Sequence, residues 1–320
     1  MGKLVNGVWR DVWYDTESSD GEFVREDAGF RRWLTVDGSN GPEGQHGFKA
    51  ESGRYHLYVS LACPWAHRAL VFRQLKGLVP HIDVTVVSPD MGEQGWTFGE
   101  PEPVNGFQFM HQLYTKAKSD YTGRVTVPVL WDKQTQTIVS NESSEIIRMF
   151  NTAFNDITGN QDDYYPQALR ADIEKWNDYI YPAINNGVYR CGFATTQEAY
   201  DAAFEQLFTA LDKIESHLAG SRYLTGDSLT EADWRLFTTL VRFDAVYVGH
   251  FKCNLKRIAD YPNIQDYLKE LYQYPGVAET VDFHHIKRHY YFSHTVINPT
   301  QIVPLGPELD LLSAHGRDRL

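Results

Sequence analysis

Cysteine is scarce in this 320-residue chain: there are three, an odd number and too few for a disulfide framework. Free thiols in a reducing compartment are the expectation. No apolar run approaches the roughly 18–20 residues that span a bilayer, and the opening stretch MGKLVNGVWRDVWYD lacks the apolar core of a secretory signal. Asn6 stands where a myristoylation signal needs Ser or Thr. Positive charge is also short, with 30 Lys and Arg against 42 Asp and Glu and a net charge of -12. Such a field repels phosphate backbones and anionic lipid, so nucleic acid and membrane are not expected partners, and the expected location is the cytoplasm. Internal repeats and low-complexity tracts are absent as well. Aromatics, in contrast, are abundant at 14%, with 19 Tyr, 17 Phe and 8 Trp, while hydrophobic (42%) and charged (22%) fractions are those of an ordinary soluble protein. The length suits two domains at roughly 100–200 residues each.

Residues 1–50 carry isolated aromatics (Trp9, Trp13, Trp33) among Gly, Asp and Glu without sustained periodicity, and read as an N-terminal extension packing on the body. Tyr55-His-Leu-Tyr-Val-Ser60 reads as a buried strand. The segment after Cys63-Pro64 has Leu70, Val71, Leu75 and Leu78 at helical spacing, with Gly77 and Pro80 as a stop, and Ile82–Ser88 reads as a second strand. Strand, helix and strand form a βαβ unit with parallel strands. Residues 89–124 form a Gly- and Pro-containing connection whose length marks it as functional or disordered. Val127–Asp132 and Thr137–Ser140 read as two further strands, and a helix begins at Ser143. This order predicts α/β architecture, a thioredoxin-like layer over residues 51–155. From 164 to 320 helical patterns dominate (Ile173, Trp176, Ile180, Ile184; Phe204, Leu207, Phe208, Leu211, Ile214, Leu218), which predicts an all-α domain with a C-terminal tail. The boundary falls in the polar, acidic stretch 154–163. In Thr230-Glu-Ala-Asp233, Thr230 reads as an N-cap and Asp233 as its reciprocal partner.

Cys63 lies where a strand passes into a helix, and Pro64 fits the first turn, where its missing N–H costs nothing. The positive end of a helix favours a thiolate, which makes Cys63 a candidate nucleophile; the alternative is a small buried hydrophobe, the preferred reading of Cys191 and Cys253. The position at which a Cys-x-x-Cys motif carries its second thiol is Ala66. Disulfide chemistry at Cys63 therefore needs an external thiol, for which glutathione is the abundant candidate. Val127-Pro128 opens a strand with a proline, and admits either a cis peptide that offers Val127 to a peptide-like ligand or a trans edge strand. Glu142 and Ser143 at a helix start suit the ammonium and carboxylate of a γ-glutamyl group, with Arg124 for another carboxylate; Ser143 as a simple cap is the alternative. His285 and His289 share a helix face, with His284 and His294 nearby. No acidic or cysteine ligand accompanies them in a known zinc spacing, so packing without a metal is expected.

Tyr-Val-Ser-Leu-Ala-Cys63-Pro-Trp-Ala, Val127-Pro128, Glu142-Ser143 and Leu224-Thr-Gly-Asp-Ser-Leu-Thr-Glu-Ala-Asp233, in this order, resemble the cytosolic glutathione transferases of cysteine type. Cys-Pro-Trp-Ala-His-Arg, Gly95-Trp-Thr-Phe98, Arg124-Val-Thr-Val-Pro-Val-Leu-Trp-Asp132 and His284-His-Ile-Lys-Arg-His-Tyr-Tyr-Phe-Ser-His294 resemble more closely the glutathionyl-hydroquinone reductases, the Xi class. The resemblance covers nearly the whole chain. It implies a thioredoxin-like glutathione-binding domain followed by the helical transferase domain. Cys63 would attack the glutathione sulfur of a glutathionyl-hydroquinone, releasing hydroquinone and leaving a mixed disulfide that a second glutathione resolves to glutathione disulfide. Glutathione is then a co-substrate and no permanently bound cofactor is implied. The implied glutathione-binding set is Trp96, Arg124, Val125, Thr126, Val127, Pro128, Glu142 and Ser143. Asn185-Asn-Gly-Val-Tyr189-Arg places a proton donor on Tyr189. Tyr247 in Asp244-Ala-Val-Tyr-Val and Tyr290 in Arg288-His-Tyr-Tyr match two supporting tyrosines, with Tyr291 the less favoured neighbour. A homodimer is expected by resemblance and base rate. Alternatives are an omega-like thioltransferase or dehydroascorbate reductase, which does not need Tyr189, and a non-catalytic transferase-like binding module.

Overall fold

The computed structural model of the chain describes residues 2–320, which form two compact units. Unit 1 holds residues 2–13, 26–163 and 280–285; unit 2 holds 14–25, 164–279 and 286–320.

Unit 1 begins with a hairpin of β1 (Lys3–Val5) and β2 (Val8–Arg10). Asn6 and Gly7 join them at φ 48° and 76°, the pairing that lets a two-residue turn follow the strand twist. Strands of three residues are too short to show alternation, so the Asn-Gly dipeptide is the signal that the periodicity reading passes over. A parallel pair, β3 (Trp33–Thr35) and β4 (Gly47–Lys49), follows. β5 (Tyr55–Val59) is buried at every position. A strand covered on both faces has no polar side, hence its continuous apolar run. After α1 (Pro64–Leu75), β6 (Asp83–Val86) pairs with β5 in parallel, His56 opposite Asp83. The connection 89–124 contains a helix, α2 (Met110–Ala117), and a short strand, β7 (Gly123–Arg124), that pairs with β1. The helix hides from a propensity reading because its N-cap is Phe109. The terminus is satisfied from inside, Gln112 Oε1 accepting from Phe109 N at 2.9 Å and Gln108 N at 3.0 Å. The loop before it closes on buried Glu102, which accepts from Tyr58 OH, Val104 N and Asn105 N, each at 2.8 Å. β8 (Val129–Asp132) and β9 (Thr137–Ser140) complete a sheet ordered β6-β5-β8-β9, and α3 (Ser143–Thr152) and α4 (Asn155–Thr158) end the layer. This is the thioredoxin-like architecture that the element order predicts.

Unit 2 is helical: α5 (Arg170–Ile180), α6 (Gly187–Phe193), α7 (Gln197–Leu218), α8 (Glu231–Arg242), α9 (Val248–His250), α10 (Pro262–Tyr272) and α11 (Phe283–Ser293), whose first residues belong to unit 1. Ile173, Ile180 and Ile184 are buried as their spacing predicts, but Trp176 is only half-buried, its ring tilted at 56° against His217 with centroids 4.8 Å apart. Asn177 takes the inward position, donating to Glu231 Oε1 at 3.0 Å. Both α5 and α8 end in widened π turns, Tyr181–Asn185 and Phe243–Tyr247, a local feature frequent at functional sites. No helix among the described residues is long and apolar enough to cross a membrane.

The start of α8 is as its sequence predicts. Asp233 Oδ2 accepts from Thr230 N at 2.8 Å and Thr230 Oγ1 at 3.1 Å, while Oδ1 accepts from Leu224 N at 2.9 Å and Tyr267 OH at 2.8 Å. Burial pushes its carboxyl up, and these four bonds oppose that effect. Asp233→Ala leaves four buried donors without their acceptor and is expected to cost roughly 3 kcal/mol. Asp227→Ala, at an exposed position before the helix, is the control and costs little. Urea unfolding of the full chain measures both.

Candidate active site

Ser60, after β5, turns the chain: its carbonyl accepts from Cys63 N at 3.2 Å and its hydroxyl from Ala62 N at 3.2 Å. Cys63 then becomes the N-cap of α1 in extended geometry (φ -78°, ψ 121°), and Pro64 takes the first helical position. The half-buried sulfur therefore sits at the end of the helix whose orphan amides favour negative charge. Its Sγ lies 3.5 Å from the carbonyl of Val127, to which the thiol donates. The peptide Val127-Pro128 is cis, the first of the two alternatives open from sequence. Neither other cysteine belongs to this unit. Cys191 and Cys253 are buried in unit 2, Cys253 Sγ donating to Phe251 O at 3.8 Å, and burial pushes the Cys253 thiol well up, as befits an inert thiol.

The segment carrying Val127 is gripped from one side chain that sequence reasoning passed over. Tyr114, on α2, donates its hydroxyl to Thr126 O at 2.7 Å and accepts from Thr126 N at 3.1 Å, holding both polar groups of one residue. Asn141 reinforces it, donating to Tyr114 OH at 3.1 Å and to Thr126 Oγ1 at 3.2 Å, and accepting from Phe30 N at 3.0 Å. The signal for Tyr114 was hidden because α2 itself was.

The other glutathione-binding candidates fall as follows. Val125 and Val127 are buried. Trp96 is buried, and its carbonyl accepts from Met110 N at 2.9 Å. Its loop is braced by Trp9, whose indole donates to Glu93 O at 2.8 Å and stacks on His111 at 4.9 Å. The Arg124 guanidinium is turned to the N-terminal segment, donating to Val12 O at 2.7 Å and Trp13 O at 2.9 Å, with Glu26 at 3.6 Å. Ser143 is not the cap of α3. Glu142 is, its Oε1 accepting from Ser144 N at 2.9 Å and Ser144 Oγ at 2.8 Å, because its longer side chain curls back over the first turn. Ser143 at the first helical position lies 3.5 Å from Nη1 of Arg68, a buried cation stacked over Trp65 at 4.6 Å. A buried cation there adds to the positive potential of the helix start.

Unit 2 brings the three tyrosines together. Tyr290 OH lies 2.5 Å from Tyr189 OH and 3.1 Å from Tyr247 OH, the middle of a phenol chain. Burial, with the two neighbouring phenols, pushes Tyr290 well up. Tyr291 stands apart, its hydroxyl 3.5 Å from Val246 O. The histidines separate. His284 is exposed, whereas His289 and His294 join His250, whose Nε2 is 3.1 Å from His294 Nδ1. Burial pushes His250 down to about 3 and His294 well below its ordinary value. Among the described residues no group of three or more His, Cys, Asp or Glu is arranged to hold a metal ion.

Known proteins resemble the chain over nearly its whole length. The family model "Glutathione S-transferase, N-terminal domain" matches residues 62–153, and "Glutathione S-transferase, C-terminal domain" matches 197–270. Glutathionyl-hydroquinone reductase YqjG of Escherichia coli is 57% identical over 99% of both chains, and glutathionyl-hydroquinone reductase PcpF of Sphingobium chlorophenolicum is 54% identical over 96% of both. The glutathione-bound structure of YqjG superposes with a TM-score of 0.91 at 54% identity, covering 99% of each chain. The glutathione-S-transferase Xi of Phanerochaete chrysosporium gives 0.85 at 53% identity, covering 91% of this chain and 99% of that one.

Tyr114→Phe strands Thr126 and is expected to cost roughly 1–3 kcal/mol, while Tyr121→Phe, which loses a 3.4 Å contact with Arg124 O, costs less; chemical denaturation ranks them. The buried histidines set a pH dependence. With folded values depressed and unfolded values near 6.5, their contribution is complete above pH 6.5 and is lost as pH falls toward the folded values, at up to roughly 1.4 kcal/mol per unit for each group. The thermal midpoint should fall steeply below pH 6.5, and His250→Gln should flatten that limb.

Proposed function

This chain belongs to the glutathione S-transferase family, in the Xi class of glutathionyl-hydroquinone reductases, and from that membership we propose that it reduces glutathionyl-hydroquinones to hydroquinones with glutathione as co-substrate. The observation that carries the reading at the site is a single thiol, Cys63, at a helix N-terminus beside the Val127 carbonyl, with no second cysteine in its unit.

The Cys63 thiolate attacks the sulfur of the substrate. A disulfide forms between Cys63 and glutathione, the bond from that sulfur to the aromatic carbon breaks, and the carbon keeps the electron pair. That carbon takes a proton, which Tyr189 supplies as the acid while Tyr290 and Tyr247 donate along the phenol chain behind it. A second glutathione, deprotonated, attacks the mixed disulfide, leaving glutathione disulfide and the Cys63 thiolate; its proton restores Tyr189. One glutathionyl-hydroquinone and one glutathione thus give one hydroquinone and one glutathione disulfide. The main chain of Val127, just before β8 and joined to Pro128 by a cis peptide, suits the peptide backbone of glutathione, and Glu142 with Ser143 suits its γ-glutamyl end; Trp96 lies on the same unit. Arg124 enters this set on the resemblance, since its side chain holds residues 12 and 13. The acidic charge of -12 and the dependence on a glutathione pool support a cytoplasmic protein, and base rates support a homodimer.

Cys63→Ser is expected to abolish glutathione-dependent release of hydroquinone from its glutathionyl conjugate. Tyr189→Phe is expected to slow it at least tenfold while sparing reduction of a simple mixed disulfide, whose leaving thiolate needs no carbon protonation. Undiminished hydroquinone release by Cys63→Ser contradicts the reading; equal losses on both substrates in Tyr189→Phe favour a general thioltransferase.

A further inference from the structure

The short segment 14–25 belongs to unit 2, away in sequence from the helices it lies on. It is tied to the start of α7: Thr16 Oγ1 is 2.9 Å from Thr195 Oγ1, Thr195 N donates to Gly21 O at 3.0 Å, and Thr196 Oγ1 donates to Asp20 O at 3.0 Å. Its aromatic members pack on α6, Phe23 meeting Phe193 edge-on at 5.1 Å. The segment ends in Arg25, whose guanidinium carbon lies 4.9 Å from the centre of the Tyr189 ring and 5.1 Å from that of Phe23. Arg25 Nε donates to Asn186 Oδ1 at 2.9 Å, and Asn186 joins the widened turn to the helix that carries Tyr189. A surface arginine has no need of two rings and a fixed amide; this one is aimed.

We propose that Arg25 is a positioning residue for Tyr189, its cation over the phenol ring stabilising the tyrosinate left when Tyr189 gives up its proton and so making Tyr189 the acid among the three tyrosines. The inference rests on the reductase reading above. A cation over an aromatic face is attracted to the neutral ring, and more strongly once that ring carries a full negative charge. The phenol chain works the same way: once Tyr189 has given up its proton, its oxygen can only accept, and Tyr290, held protonated by burial with its hydroxyl 2.5 Å away, is the donor to it, with the Tyr247 hydroxyl 3.1 Å behind. Tyr247 and Tyr290 are 0% and 2% exposed and Tyr189 is 8% exposed, so the phenol under the Arg25 cation is the least deeply buried of the three. Other ionisable groups also face the phenol chain among the described residues: His250, His289 and His294 contact Tyr290 by their rings, and the charge of Arg242 acts on Tyr290.

The test is the pH profile of kcat/KM for hydroquinone release by the full chain, with iodoacetamide alkylation of Cys63 as a second readout. In Arg25→Met the basic limb is expected to move up by about one pH unit and the rate below it to fall about five- to tenfold, whereas the acid limb and the alkylation profile stay in place. Arg25→Lys keeps a cation and should hold the limb near its original position. A fall in rate and melting temperature without movement of the basic limb, or equal behaviour of Met and Lys, assigns Arg25 a structural role and overturns the inference while leaving the reductase reading intact. Wild-type turnover by Tyr189→Phe overturns both.

Discussion

A sulfur held at the start of a helix, 3.5 Å from a main-chain carbonyl, is the constraint on which unit 1 is built. The helix end makes negative charge on Cys63 favourable, and the carbonyl fixes the register between that sulfur and the strand that follows. Both partners need support, because a loop with a proline in it lacks a full ladder of hydrogen bonds. Tyr114 and Asn141 supply the missing bonds, and Asn141 also ties in Phe30 from the N-terminal part of the chain. The extension thus has a mechanical job: Trp9 braces the Trp96 loop, Arg124 holds residues 12 and 13, and β1 pairs with β7 just before Thr126.

Unit 2 solves a different problem. Three hydroxyls stand in a row, and the middle one, on Tyr290, has a single proton to give between its two neighbours. Burial keeps Tyr290 protonated, and Tyr189, its hydroxyl 2.5 Å away, has the Arg25 cation over its ring. Part of the aromatic excess of the composition gathers here, with Phe23, Phe193 and Phe251 closing around Tyr189.

Much of the fold was legible because it rests on long or chemically marked patterns: the buried run 55–59, the β-branched strand after α1, the Thr230 and Asp233 capping pair. Cys63-Pro64 was legible for the same reason, since few settings place a proline directly after a cysteine at a strand end. What escaped was short or nonlocal. The first hairpin has three-residue strands, α2 caps itself with Phe109 and Gln112, and Glu142 displaces Ser143 as a cap through a side-chain conformation. Arg25 and Tyr114 act on residues distant in sequence, and nothing in their own neighbourhoods announces it. Trp176 misled because a large aromatic at helical spacing reads as core, while the position itself is filled by Asn177 paired with Glu231.

The central claim is that Cys63 takes glutathione from the substrate by itself. A single-turnover reaction tests it: protein is mixed with one equivalent of glutathionyl-hydroquinone and no free glutathione, and both the protein mass and the released hydroquinone are followed. The account predicts one hydroquinone released per chain and one glutathionyl group, mapped to Cys63 by peptide mass spectrometry and removed by added glutathione. Hydroquinone release with an unmodified Cys63, or a glutathionyl group on Cys191 or Cys253 instead, contradicts it.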